Sequence, residues 1–181
     1  MSNLTIATLE HRPSGEVASL WAKRGSRDRA VVVGQSEWVS FPDLGIMAID
    51  AKVDTGARTS VLHAEDIELV DGDEGVIVKF LCHPLIDDLA FEVRCEAPLW
   101  DQREVRSSNG EVEERPFIMQ RVCHGDLSWE IELSLTSRRA MRHRMLLGRG
   151  ALRRRFLVEP SRRHLLGRLD PEELYPGYHS P

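Results

Sequence analysis

Ala51-Lys52-Val53-Asp54-Thr55-Gly56-Ala57 is the stretch that decides the fold. It ends an apolar run, Gly45–Val53, and then turns sharply through Gly56. A carboxylate on a tight turn at a strand end is held rigidly and aimed at a cleft, and glycine lets another backbone approach closely there. Asp54 is the candidate catalytic group. Thr55 is placed to hydrogen-bond across a symmetric interface, and Gly56 supplies the turn. Asp-Thr-Gly alone is a weak signal, because ordinary turns carry it too; the strand before it and Ala57 after it strengthen it.

Short extended segments surround this turn. Ala30–Gly34, Glu37–Phe41 and Gly45–Val53 read as strands, with Pro42 marking a turn between them. Gly75–Leu81 and Phe91–Cys95 are further strands. Arg103–Arg106 and Val112–Met119 flank Ser107-Ser108-Asn109-Gly110, and an Asn-Gly pair between extended segments is a hairpin signal because both residues tolerate positive φ. Leu127, Trp129, Ile131, Leu133 and Leu135 alternate with polar residues, the pattern of a half-buried strand. One helix is predicted, over Gly148–Arg155, before Phe156–Val158 resumes as strand and Pro160 ends it. Many short strands with one short C-terminal helix predict a mainly β protein, a small closed barrel. Residues 1–29 read as an irregular extension with a short helix near Val17–Lys23, residues 30–168 as the domain, and residues 169–181 as an irregular tail.

The 181-residue length suits one domain, and the 41% hydrophobic and 29% charged shares are those of an ordinary globular chain. No apolar run approaches the ~18–20 residues of a membrane span, so no membrane partner is expected. The N-terminal stretch lacks the apolar core of a signal peptide. Three cysteines are an odd count, which argues against a disulfide framework and for a cytoplasmic setting. The net charge of −5 hides an asymmetry: Arg138–Arg168 holds eleven arginines against one acid, Glu159. Arginine suits bidentate contacts with carboxylate or phosphate, so an anionic partner is one reading and a solvated surface paired with local acids is the other.

Met145-Leu146-Leu147-Gly148-Arg149-Gly150-Ala151-Leu152 stands about ninety residues after Asp54. Together with the Asp-Thr-Gly-Ala turn it resembles the retropepsins, whose catalytic loop packs beside an apolar-apolar-Gly strand leading into a Gly-Arg helix. Lys52–Ser60, followed by Leu62-His63-Ala64, is similar to the bacterial retropepsin-like family of ATP-dependent zinc proteases, over roughly Val31 to Leu166. Some members are associated with a ligase that adds glutamates to a ribosomal protein.

The resemblance implies an aspartic peptidase built as a homodimer, with one Asp54 per subunit and the pair sharing a proton at roughly 3 Å. The hairpin at Asn109 and Gly110 is then the flap over the substrate. Where retroviral enzymes carry acids after the motif, this chain has Arg58, which would leave Arg58 and Arg149 without that partner. Lys52, two residues before Asp54, projects to the same side of its strand. Lys52, Arg58, Arg149 and Arg138 or Arg139 therefore point to a glutamate-rich or polyglutamylated substrate, with a ribosomal-protein link as one source.

No His-Glu-x-x-His, Cys-x-x-Cys or Gly-x-x-x-x-Gly-Lys motif occurs, so neither a metal nor another cofactor is expected. Cys82, Cys95 and Cys123 read as structural thiols, His63 as a hydrogen-bonded structural histidine, and Trp38, Trp100 and Trp129 as packing. The competing class is a non-catalytic module of the same fold that binds an anionic partner, such as RNA, a ribosomal surface or an acidic protein.

Overall fold

The computed structural model describes residues 30–106, 110–176 and 178–179. The extension at 1–29, with its expected helix near Val17–Lys23, lies outside the described residues, as does Asn109. The strands are β1 (Val31–Val33), β2 (Ser36–Phe41), β3 (Ile46–Val53), β4 (Ser60–His63), β5 (Glu65–Gly72), β6 (Gly75–Cys82), β7 (Val93–Pro98), β8 (Asp101–Arg106), β9 (Val112–His124), β10 (Leu127–Thr136), β11 (Met145–Leu147) and β12 (Phe156–Val158).

Six strands close a barrel. β10, β4, β11, β3, β2 and β9 follow one another as hydrogen-bonded neighbours, and β9 pairs back onto β10 from Leu127↔His124 to Ser134↔Phe117. Length makes this closure possible. β9 runs for 13 residues, so its first half takes β8 while its second half takes β10. β8 therefore stands outside the ring, and the β8–β9 hairpin is paired up to Arg106↔Val112, as the Asn-Gly signal predicts. β5, β6 and β7 form a separate three-stranded sheet, and β1 pairs in parallel with β12. This is the small closed β-barrel of retropepsin type expected from the sequence.

The alternating side chains of β10 fill the interior: Trp129, Ile131, Leu133 and Leu135 are buried with Val39, Phe41, Leu62, Ile118 and Met145. Burial of this apolar surface is the dominant favourable contribution to the fold. A buried carboxylate also ties the chain's end to the barrel. Glu37, 1% exposed, accepts hydrogen bonds from the backbone N–H groups of Gly34 (2.6 Å), Leu165 (2.9 Å) and Leu166 (3.0 Å).

Two expectations change in detail. The helix predicted over Gly148–Arg155 forms only at Arg149–Leu152. Arg153 already has extended ψ and Arg154 a φ of +66°, because the chain must straighten to pair β12 with β1. The tail at 169–181, read as irregular, contains a helical turn at Pro171–Leu174. After it, the Tyr175 hydroxyl donates to the Ala48 carbonyl (3.0 Å) and accepts from the Ala48 N–H (3.1 Å). Proline at the first helical position and Asp170 capping the Glu172 N–H explain that turn.

Candidate functional site

The site is built where β3 ends against β11. β11 lies parallel to β3, with Leu147 beside Val53, and the Asp54 N–H donates to the Leu147 carbonyl (2.9 Å). Gly148 follows because nothing larger fits. A Cβ there would stand 2.5 Å from the Thr59 carbonyl oxygen, inside any tolerable contact. Its N–H donates to the Ser60 hydroxyl (3.1 Å). The helix start then grips the turn from the other side. The Arg149 N–H donates to the Ala57 carbonyl (2.9 Å) and the Gly150 N–H to that of Arg58 (3.0 Å).

Asp54 is held by its own turn. Its Oδ1 accepts from the N–H of Gly56 (2.9 Å) and of Ala57 (3.1 Å), while Thr55, Gly56 and Arg58 are exposed. Arg149 differs from the sequence expectation of an unpartnered guanidinium. With no acid at position 58, its Nη1 donates instead to the carbonyls of Thr55 (3.1 Å) and Gly56 (2.9 Å). Arg149 braces the turn.

The other cations divide. Arg138 is half-buried. Its N–H donates to His63 Nδ1 (2.9 Å), its Nε donates to the His143 carbonyl (3.0 Å), and its charge is felt at Asp54. Burial lowers its pKa, the neighbouring Arg115 lowers it further, and Asp54 opposes both. Arg139, the next residue, turns away to Glu65, 3.7 Å from its Oε1. Lys52 is exposed, and its charge acts on His143 together with those of Asp50, Arg142 and Arg163. Gly110 sits in the hairpin with φ +89°.

Sequence reasoning missed three members of the site. Thr136, at the end of β10, donates its hydroxyl to both oxygens of Glu113 (2.9 and 3.0 Å), and Arg115 Nε donates to Glu113 Oε2 (2.8 Å). Glu113 and Arg115 share one strand face two residues apart, which was visible. Their meeting with Thr136 depends on how β9 folds back on β10. Arg103, paired with Glu132 and lying over the Phe117 ring, anchors the root of the same hairpin.

His63 is fully buried. Because its Nδ1 accepts from Arg138, its hydrogen sits on Nε2, 3.5 Å from Glu65 Oε1. Burial, then the Arg144 cation, pushes its pKa down to about 4, against the pull of Glu65. Together with His83 and Glu65 it comes nearest to a metal-binding group. The protonated Nε2 and the adjacent Arg139 and Arg144 oppose a cation, and no cluster of three or more His, Cys, Asp or Glu among the described residues could hold one. The thiols do not help: burial raises Cys82 and lifts Cys95 to about 12, so neither becomes a thiolate ligand readily. The residues do not fit a zinc site. No helix among the described residues is long and apolar enough to cross a membrane.

Comparison with known proteins bears on this arrangement. A family model described as RimB-like, retropepsin-like aspartic endopeptidase RimB, matches residues 32–168. A probable alpha-L-glutamate ligase of Parasynechococcus marenigrum is 46% identical over 146 residues, 81% of this chain and 31% of that protein. Its counterpart from Shewanella halifaxensis is 42% identical over 151 residues, 82% of this chain and 33% of that protein. The chain thus spans about a third of the length of these curated relatives. A Legionella pneumophila structure of unknown function superposes with a TM-score of 0.64 at 21% identity, covering 76% of this chain and 99% of that one, and shows the fold alone.

These findings correct two expectations. The zinc-protease resemblance gives way to a RimB-like domain linked to alpha-L-glutamate ligases. Peptide hydrolysis as the chain's activity, and the peptidase class with it, is overturned by the curated relatives, which are named for joining glutamate.

Proposed function

We infer this chain's role from its family: it belongs to the RimB-like family, and we propose that it serves alpha-L-glutamate ligation by holding the glutamate-bearing peptide on which that chemistry works. The relatives' name supports the choice of ligand, since a peptide carrying added glutamates presents a row of carboxylates.

One observation carries the reading. Arg138 is half-buried, the charges of Arg115 and Asp54 act on it, and among the described residues no carboxylate lies within ion-pair distance of its guanidinium. A partly desolvated cation with no carboxylate partner is costly, and an incoming anion relieves it. Arg58 adds an exposed charge beside the same turn, and Arg149 keeps the turn rigid. The homodimer expected from sequence rested on the need for a second Asp54. A holder of peptide has no such need.

The experiment is calorimetric titration of the chain with a hexaglutamate peptide, with hexaglutamine as the control. The glutamate peptide should bind, the glutamine peptide should not, and raising salt should weaken the complex through screening. Arg138→Ala should weaken it about tenfold, the size expected for truncating one close charge pair. Equal binding of both peptides would sink the reading, and so would an unaffected Arg138→Ala. A peptide mass that rises by whole glutamate residues when ATP and L-glutamate are present would place bond formation in this chain itself.

A further inference from the structure

We propose that Thr136 and Arg115, flanked by Arg138, form a subsite for the side-chain carboxylate of a bound glutamate, and that Glu113 occupies it until the peptide displaces it. The inference rests on the glutamate-peptide reading above and names the position where one carboxylate is read.

The geometry is that of a bound carboxylate. Both Glu113 oxygens share the Thr136 hydroxyl at 2.9 and 3.0 Å, and one of them also accepts from Arg115 Nε at 2.8 Å. A hydroxyl and a guanidinium N–H converging on one pair of oxygens is a carboxylate receptor. Its parts differ in how firmly they are held. Thr136 is buried at the end of a barrel strand and the Arg115 side chain is only 12% exposed, whereas the Glu113 side chain is 49% exposed. Glu113 and Arg115 both lie on the first half of β9, opposite β8, whereas Thr136 ends the ring strand β10. The two donors are largely covered, and the carboxylate that fills the receptor is the part open to solvent.

Electrostatics favours exchange over vacancy. The Arg115 cation acts on Arg138 and lowers its pKa, so withdrawing Glu113 leaves that repulsion uncompensated, with only the charge of Asp54 opposing it. A replacement anion restores the balance of charge. The intramolecular pair is weak enough to lose, since a half-exposed ion pair contributes only about 0–1 kcal/mol. A peptide bearing several carboxylates competes for the same donors and gains its remaining contacts around the turn. A ligand competing with an internal occupant binds more weakly by the fraction of molecules in which the subsite is free.

Removing the occupant should therefore tighten binding. Titration with hexaglutamate should show Glu113→Ala binding about three- to tenfold more tightly than wild type. Glu113→Gln, which keeps one acceptor oxygen but not the charge, should fall between the two. Glu114→Ala, on the opposite face of the strand, should match wild type. Adding Thr136→Val to Glu113→Ala should abolish the gain. If wild type binds and Glu113→Ala binds equally or less well, the subsite assignment is wrong while the peptide-holding role stands. If neither binds, both fall.

Discussion

Two carboxylates on neighbouring strands show how differently one chain can use the same group. Glu37 is enclosed: its oxygens meet three backbone N–H groups, one three residues back and two from the far segment 165–166, and only 1% of the residue reaches solvent. Glu113 is half exposed, and its partners are side chains, Thr136 and Arg115. Backbone donors cannot rotate away or find other partners, so Glu37 acts as a rivet between β2 and the segment 165–166. Side-chain donors with solvent at hand can exchange partners. The first arrangement stabilises the fold and the second leaves a binding position open to competition.

The largest effect that could break this contrast is at Glu37. Glu37→Ala strands three N–H groups, two of which hold the chain after β12, and should cost about 3–5 kcal/mol in urea unfolding. A loss below about 1 kcal/mol would mean that the carboxylate is no rivet.

A second, somewhat smaller effect tests the arginine side of the site through its buried histidine. His63 titrates near 4 in the folded chain against an ordinary value of 6.5. Below pH 6.5 the unfolded chain takes up a proton that the folded chain declines. Stability therefore falls as pH drops from 6.5 towards 4, levels off below that, and is unaffected by this group above 6.5. The ceiling on the loss is about 3 kcal/mol. His63→Asn keeps an acceptor for the Arg138 N–H and should flatten the difference in stability measured between pH 7.5 and pH 5. An unchanged slope in that variant would assign the acid sensitivity elsewhere.

The same contrast explains what the sequence made legible. The Asp54 turn, Gly148 and the hairpin were readable because each is a local requirement: a strand end, a close approach with no room for Cβ, and a turn needing positive φ. β4 was not, since Ser60 and His63 are polar yet wholly buried, and only β10 and β11 on either side supply their partners. The acidic stretch Glu65–Gly72 was not among the expected strands, yet it is a strand of the second sheet, with its alternation obscured by a register shift between Glu65 and Glu68. Arg138 and Arg139 looked equivalent, yet one is half-buried with its Nε on the His143 carbonyl and the other reaches out to Glu65. Tyr175 docks on Ala48 across a separation of 127 residues, which no local pattern announces.

The smallest effect is the one that sharpens the comparison most. Glu113→Ala removes as many formal hydrogen bonds as Glu37→Ala, so a bond count predicts similar losses. Accessibility predicts otherwise. Water can replace the Glu113 oxygens at Thr136 and Arg115, and an exposed ion pair contributes little, so unfolding should change by no more than about 0.5 kcal/mol. The measurement is a urea curve for each variant under the same buffer. A small loss at Glu113, set beside a large one at Glu37, would mean that the hairpin carboxylate is free to leave without weakening the barrel, which displacement by a peptide requires. A loss at Glu113 approaching that at Glu37 would make it a second rivet, and the subsite it occupies would then be closed to any ligand.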